Sequence, residues 1–180
     1  MAPTQKTVTV VLNAQTSDKQ LISDEGKIVI GKICALLKKS AEYKIPIALV
    51  EYVKWGVSYP VSSPVNPYIW LSGGKSMLHF TINSYKNEPN ITDPFISKEF
   101  AAFISGFSRL VFAGVSENVL AAVSNPAIKG KEMIVAESTV AFGKENKEKM
   151  LSAFQNKYST GVIFLGRELQ PLLEELQKPQ

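Results

Sequence analysis

The sequence has one cysteine, Cys34, and one histidine, His79. A single thiol excludes an internal disulfide framework and suits a reducing compartment. One cysteine and one histidine are too few for a zinc site of the usual nitrogen–sulfur kind, so neither a metal nor another cofactor is expected. No apolar run approaches the roughly 20 residues that cross a bilayer. The start, "MAPTQKTVTVVLN", lacks both the apolar stretch of a secretory signal and the Arg- and Ser-rich amphipathic pattern of a transit peptide. The expectation is an intracellular, soluble protein without a membrane span, cytoplasmic or held in an organelle such as the mitochondrion. Concentrated basic charge is also missing. The net charge is only +4, the lysines are dispersed, and the densest run, "KENKEKM" (144–150), alternates in sign like a solvated helix face. Without a basic stripe or a nucleic-acid reading motif, a nucleic-acid partner is not expected.

What is present is ordinary globular material: 180 residues, 45% apolar and 20% charged, enough for one domain with one good core. We read residues 1–180 as a single domain with loose ends at 1–6 and 177–180. "TVTVVLNAQ" (7–15) is a buried strand ending at Asn13, and helical spacing runs from Ser23 to Lys44. "IPIALVEYV" (45–53) is a second strand, "MLHFTI" (77–82) a third, and 55–76 between them a long loop. "DPFISKEFAAFISGF" (93–107) is a helix with Asp93 as N-cap and proline in its first turn. Strand "RLVFAGV", helix "SENVLAAVSNPAIKG", strand "EMIVAEST", helix "KENKEKMLSAFQNKY", strand "TGVIFLG" and helix "RELQPLLEELQ" follow. This alternation predicts a three-layer α/β/α sandwich around a mainly parallel six-stranded sheet.

Two short motifs carry little. "SGGKS" (72–76) has Ile69 where a phosphate loop needs its first glycine, and a strand rather than a helix follows. "NIT" (90–92) matches a glycosylation sequon by composition alone. Cys34 falls on the apolar side of its helix, away from any histidine in sequence, and reads as a core residue.

In open parallel sheets, ligands bind beyond the carboxyl ends of the strands. There the sequence places Asn13 and Gln15, then Glu51 and Tyr52, then His79, Asn83 and Tyr85, then Ser116 and Glu117, and finally Glu137 and Ser138. A serine nucleophile at Ser116 requires a base within hydrogen-bond reach, and only His79 offers one.

Over Val8 to about Leu176 the chain resembles the isochorismatase-like cysteine hydrolases, which include nicotinamidases. The pieces that carry the resemblance are "VVLNAQ" (10–15), "KIPIALVEY" (44–52), "INSYKNE" (82–88) and "SRLVFAGVSENVLAAVSNPAIKGKEMIVAES" (108–138). The resemblance implies a three-layer sandwich with catalysis by an aspartate in a D-x-Q pattern, a lysine or arginine near the third strand, and a cysteine in a pattern like G-V-x-T-x-x-C-V. A carboxylate removes the thiol proton, a cation favours the thiolate, and helix amides hold the oxyanion. It also implies a cis peptide at Val115–Ser116.

All three catalytic positions differ here. "LNAQ" keeps Gln15 but puts Asn13 at the aspartate, and an amide takes no proton at neutral pH. Leu78 or His79 falls at the cation, and Leu120 at the nucleophile. We therefore expect no catalytic residues, with Asn13, Leu78, His79 and Leu120 as vestiges and Gln15, Glu51, Asn83, Tyr85, Ser116 and Glu117 around the old pocket. The leading expectation is a non-catalytic domain, not an enzyme. It would act as a structural or interaction subunit of a homo-oligomer or larger complex, with Trp55, Tyr59, Tyr68, Ile69 and Trp70 as anchors for a protein subunit. Two alternatives remain. One is a hydrolase rewired around Ser116 or His79. The other is a small-molecule ligand binder using the old pocket, marked by an open polar cavity at Asn13 and Gln15.

Overall fold

The β-branched, uncharged stretch Thr7–Leu12 is buried at every position and forms β1, the centre of the sheet. A computed structural model describes residues 6–16, 18–56, 60, 64–74, 77–85, 91–142, 148, 152, 162–165 and 168–177. After β1 come a short helix α1 (Lys19–Ile22), a long helix α2 (Asp24–Glu42) and strand β2 (Ile47–Trp55). Helix α3 (Pro67–Gly73) leads to strand β3 (Met77–Tyr85), and helix α4 (Lys98–Ser105) to strand β4 (Arg109–Val115). Helix α5 (Ser116–Val123), strands β5 (Glu132–Ala141) and β6 (Val162–Leu165), and helix α6 (Gln170–Gln177) complete the chain. The helix expected over 144–158 lies outside the described residues, Glu148 and Ser152 apart.

The strands form one sheet in the order β3-β2-β1-β4-β5-β6, with every pairing parallel. Strand alternation sorts its two faces. Val8, Val10 and Leu12 pack with Phe112, Phe100 of α4 and Val119 of α5. Val11, Leu49 and Val111 pack with Ile33, Leu36 and Leu37 of α2, Ile69 of α3 and Leu172 of α6. The three-layer α/β architecture follows from these two separate cores.

Four local expectations are corrected. The loop over 55–76 contains α3, capped by the Asn66 side chain, with Pro67 in the first turn. Strand β3 runs three residues beyond "MLHFTI", because it pairs with β2 along nine positions, from Ile47↔Met77 to Trp55↔Tyr85. Asp93 caps only a 3-10 turn, Pro94–Ile96, while Ser97 caps α4 itself. No cis peptide occurs among the described residues, so Val115–Ser116 is trans.

The strand order reverses between β1 and β4, and this switch point sets where a crevice opens. There Gly114 has φ +122°, and a Cβ on it would lie 1.9 Å from the Leu12 carbonyl oxygen. Neither the backbone conformation nor the space admits a side chain. Gly114→Ala is expected to cost about 3 kcal/mol, a fall in Tm of roughly 10 °C that calorimetry reads directly.

Candidate functional site at the β1–β4 switch point

Beyond the carboxyl ends of β1, β2 and β4 lies a cavity of about 360 Å3, lined by Asn13, Gln15, Asp18, Tyr52, Lys54 and Asn118 among others. Asn13 follows the last residue of β1 and takes φ +56°, a left-handed conformation that asparagine tolerates better than most side chains. Its Nδ2 donates to Asn118 Oδ1 at 3.0 Å and to Asp18 Oδ2 at 3.3 Å. Asn118 Nδ2 in turn donates to the Thr92 carbonyl at 3.3 Å. The Tyr52 hydroxyl donates to the same carbonyl at 3.0 Å. Gln15 is held by its Oε1, which accepts from the Tyr52 backbone N–H at 3.0 Å. Three elements that meet nowhere in sequence are thus tied by amides.

Asp18 sits at the N-cap of α1, where its Oδ1 accepts from Gln20 N at 2.8 Å. Burial raises its pKa above the ordinary 3.8, against the opposing pull of the Gln20 and Leu21 backbone N–H groups. Burial also drives the Tyr52 phenol well above its ordinary range; the hydrogen bond with Asn118 opposes the rise and the nearby Asp93 charge adds to it. Lys19 and Lys54 bring cations to the rim, and Glu117 a second carboxylate.

The cavity unites Asn13, Gln15, Tyr52 and Glu117 of the expected residues, and no others, with Glu137 and Ser138 beside a separate cavity against α2. Ser116 is buried and its Oγ donates to Gln20 Oε1 at 3.4 Å rather than lining the space. Leu120 packs into the core formed with α4 and α5 and is not among the residues that line the cavity. His79 and Leu78 lie near the start of β3, opposite Leu49 and Ala48, because the strand continues to Tyr85. His79 Nε2 pairs with Glu51 Oε2 at 3.0 Å, and its ring meets the Trp70 ring edge-on at 5.1 Å. Alternation turns Glu51 to the face opposite Tyr52, so this pair belongs to the α3 side of the sheet. Asn83 is drawn to that side as well, accepting from Trp55 Nε1 at 2.7 Å. Tyr85, the exposed last residue of β3, alternates away from Ser84, which does line the cavity.

Among the proposed anchors, Ile69 is fully buried in the α2–α3 core, whereas Tyr68 and Trp70 are exposed. Tyr59 lies outside the described residues. Cys34 sits on α2, against the core on the far face from Asn118. Among the described residues no three His, Cys, Asp or Glu side chains converge as metal ligands, and no helix is long and apolar enough to cross a membrane. Sequence reasoning missed Asp18, Lys54, Ser84, Thr92 and Asn118. Period-two alternation along β2 would have paired Tyr52 with Lys54, but nothing local marks Asn118 or Thr92.

No protein-family model matches the chain, and no curated protein matches it. Solved structures do. A MAR1 ribonuclease from Caenorhabditis elegans superimposes with a TM-score of 0.74 at 12% identity, covering 98% of this chain and 83% of its own. A candidate isochorismatase from Burkholderia xenovorans gives 0.75 at 10% identity, covering 97% and 88%. The chain has the isochorismatase-like fold. An N-carbamoylsarcosine amidase from Thermoplasma acidophilum shares it, with a TM-score of 0.68 at 13% identity over 91% of this chain and 97% of its own. These isochorismatase-like neighbours include hydrolases by name. At such identities the likeness establishes the architecture and leaves the chemistry to the residues present.

Asp18 supplies a pH test. Its folded pKa is raised, so between the ordinary value and the raised one the native state binds more protons than the unfolded chain. Stability therefore falls as pH rises through that window. Asp18→Asn, which keeps an oxygen for capping, should flatten the fall. Thermal melts across the acidic range compare the two slopes.

Proposed function

We propose that this isochorismatase-like domain binds a small polar molecule at the β1–β4 switch point without carrying out thiol-dependent hydrolysis. One observation carries the reading: the Asn13 and Asn118 amides are hydrogen-bonded to each other on the wall of a cavity that stays open. An amide at Asn13 removes no proton from a nucleophile. The only thiol in the sequence, Cys34, packs on α2 across the sheet. The serine-based route lacks its partner too, since Ser116 bonds Gln20 while His79 bonds Glu51 on the opposite face.

The openness of the cavity favours a ligand binder over a filled-in scaffold. Amides from Asn13, Gln15 and Asn118 supply donors and acceptors, and the lining also carries the charged side chains of Asp18, Lys19, Lys54 and Glu117. Such a lining selects a molecule rich in hydrogen-bonding groups. Asn118→Leu should weaken any such ligand tenfold or more, by removing a polar group from the lining and taking from the Asn13 amide one of its two acceptors. Calorimetric titration measures this, with circular dichroism verifying the fold. Amides and vinyl ethers should remain unhydrolysed. Turnover that disappears in Ser116→Ala would overturn the reading in favour of a rewired hydrolase, the activity class to which the named neighbours belong.

A second reading, an interaction subunit, draws on a different feature. Helix α3 presents Tyr68 at 69%, Trp70 at 40% and Leu71 at 79% exposure, beside edge strand β3. Aromatic side chains of this kind anchor protein interfaces. The purified chain is then expected to sediment above its 19.8 kDa monomer mass, and Trp70→Ser with Leu71→Ser to return it to that mass.

A further inference from the structure

The direction of the amides on the switch-point cavity wall is fixed from the main chain. The Thr92 carbonyl can only accept, so Asn118 turns its Nδ2 towards it at 3.3 Å. That leaves Asn118 Oδ1 facing Asn13, which answers with its own Nδ2 at 3.0 Å. The second proton of the same Nδ2 goes to Asp18 Oδ2 at 3.3 Å. Both protons are then spent, and Asn13 Oδ1 is left as an acceptor with no donor among the described residues. A backbone carbonyl thus sets the polarity of a side chain two hydrogen bonds away.

Asn13 and Asp18 are both half-buried and both line the cavity. The Asp18 carboxylate has no cation paired with it. Among the described residues the ion pairs are Lys27–Asp24, Lys39–Glu42, His79–Glu51 and Arg109–Glu132. Burial accordingly raises the Asp18 pKa, as it does for a charge that its surroundings under-compensate. Glu117, exposed on the first turn of α5, adds a second carboxylate to the lining and also lies outside those pairs.

We propose that the switch-point cavity takes its polar ligand by a primary ammonium group, with Asn13 Oδ1 and the Asp18 carboxylate as the acceptors. The assignment rests on the small-molecule reading of this cavity and adds the charge and the donor that the ligand must carry. An ammonium brings three donors and no acceptor. A ligand carbonyl or carboxylate at the same place would set oxygen lone pairs against oxygen lone pairs. At about 30 Å3 per water, the volume of about 360 Å3 equals roughly twelve waters, which leaves room for hydroxyl groups on the rest of the molecule.

The test titrates the full chain with 2-amino-1,3-propanediol and with glycerol, which differ only in an ammonium against a hydroxyl on the middle carbon, and with anionic glycerate. Backbone amide chemical shifts report binding. The aminodiol should bind about tenfold tighter than glycerol, because charge-assisted hydrogen bonds are roughly twice as strong as neutral ones, and glycerate should bind most weakly. Asn13→Gly, which suits the left-handed backbone at φ +56°, should reduce the aminodiol affinity about tenfold. Asp18→Asn, which keeps a capping oxygen, should cost a similar factor, and Lys19→Gln should tighten binding severalfold. Circular dichroism verifies the fold of each variant. Aminodiol affinity unaltered in both Asn13→Gly and Asp18→Asn would overturn the proposal. Glycerol binding as tightly as the aminodiol, and lost in Asn118→Leu, would overturn the ammonium and leave the small-molecule reading standing. No binding by any of the three would overturn both.

Discussion

The rim of this molecule depends on how closely β4 runs beside β1. At Gly114 the two backbones leave no room for a Cβ beyond Leu12, and that approach sets Asn13 against the first turn of α5. The Asn13–Asn118 hydrogen bond depends on β1, which ends just before Asn13, lying beside β4, which leads into α5 and Asn118, at the point where the sheet reverses order. Thr92 completes the arrangement by accepting from both Asn118 and Tyr52. The polar wall of the first cavity is therefore a consequence of backbone packing, not an independent feature placed on it.

Alternation along β2 and β3 decides which chemistry meets which. Tyr52 and Lys54 face the cavity. Glu51, one residue away, faces α3 and pairs with His79. A one-residue step in a strand reverses the side on which a group acts. Groups that are neighbours in sequence thus end up across the sheet from each other, and the imidazole never meets the serine.

The fold was legible because hydrophobic period is a local property. The buried runs at 7–12, 47–50 and 109–115 declare parallel strands, and the helical spacing between them declares crossovers. The pieces "VVLNAQ" and "FAGVSENVLAA" carried the resemblance, and the strand order places them side by side at the switch point. Element ends were harder to see. Helix α3 was hidden in a stretch rich in serine and proline, since one of those prolines opens the helix instead of breaking it. The true end of β3 was hidden because "NSY" lacks the apolar character of a strand; pairing with β2 extends it there.

The sequence by itself determined the layer architecture, the absence of a second thiol or imidazole, and the amide at Asn13, because these depend on residue type and short-range spacing alone. Only the tertiary structure decided that Asn118 rather than Leu120 reaches the cavity, and that His79 joins Glu51 and Trp70. Those outcomes depend on register, on the direction of each side chain from its strand, and on which backbones approach most closely, none of which a linear pattern encodes.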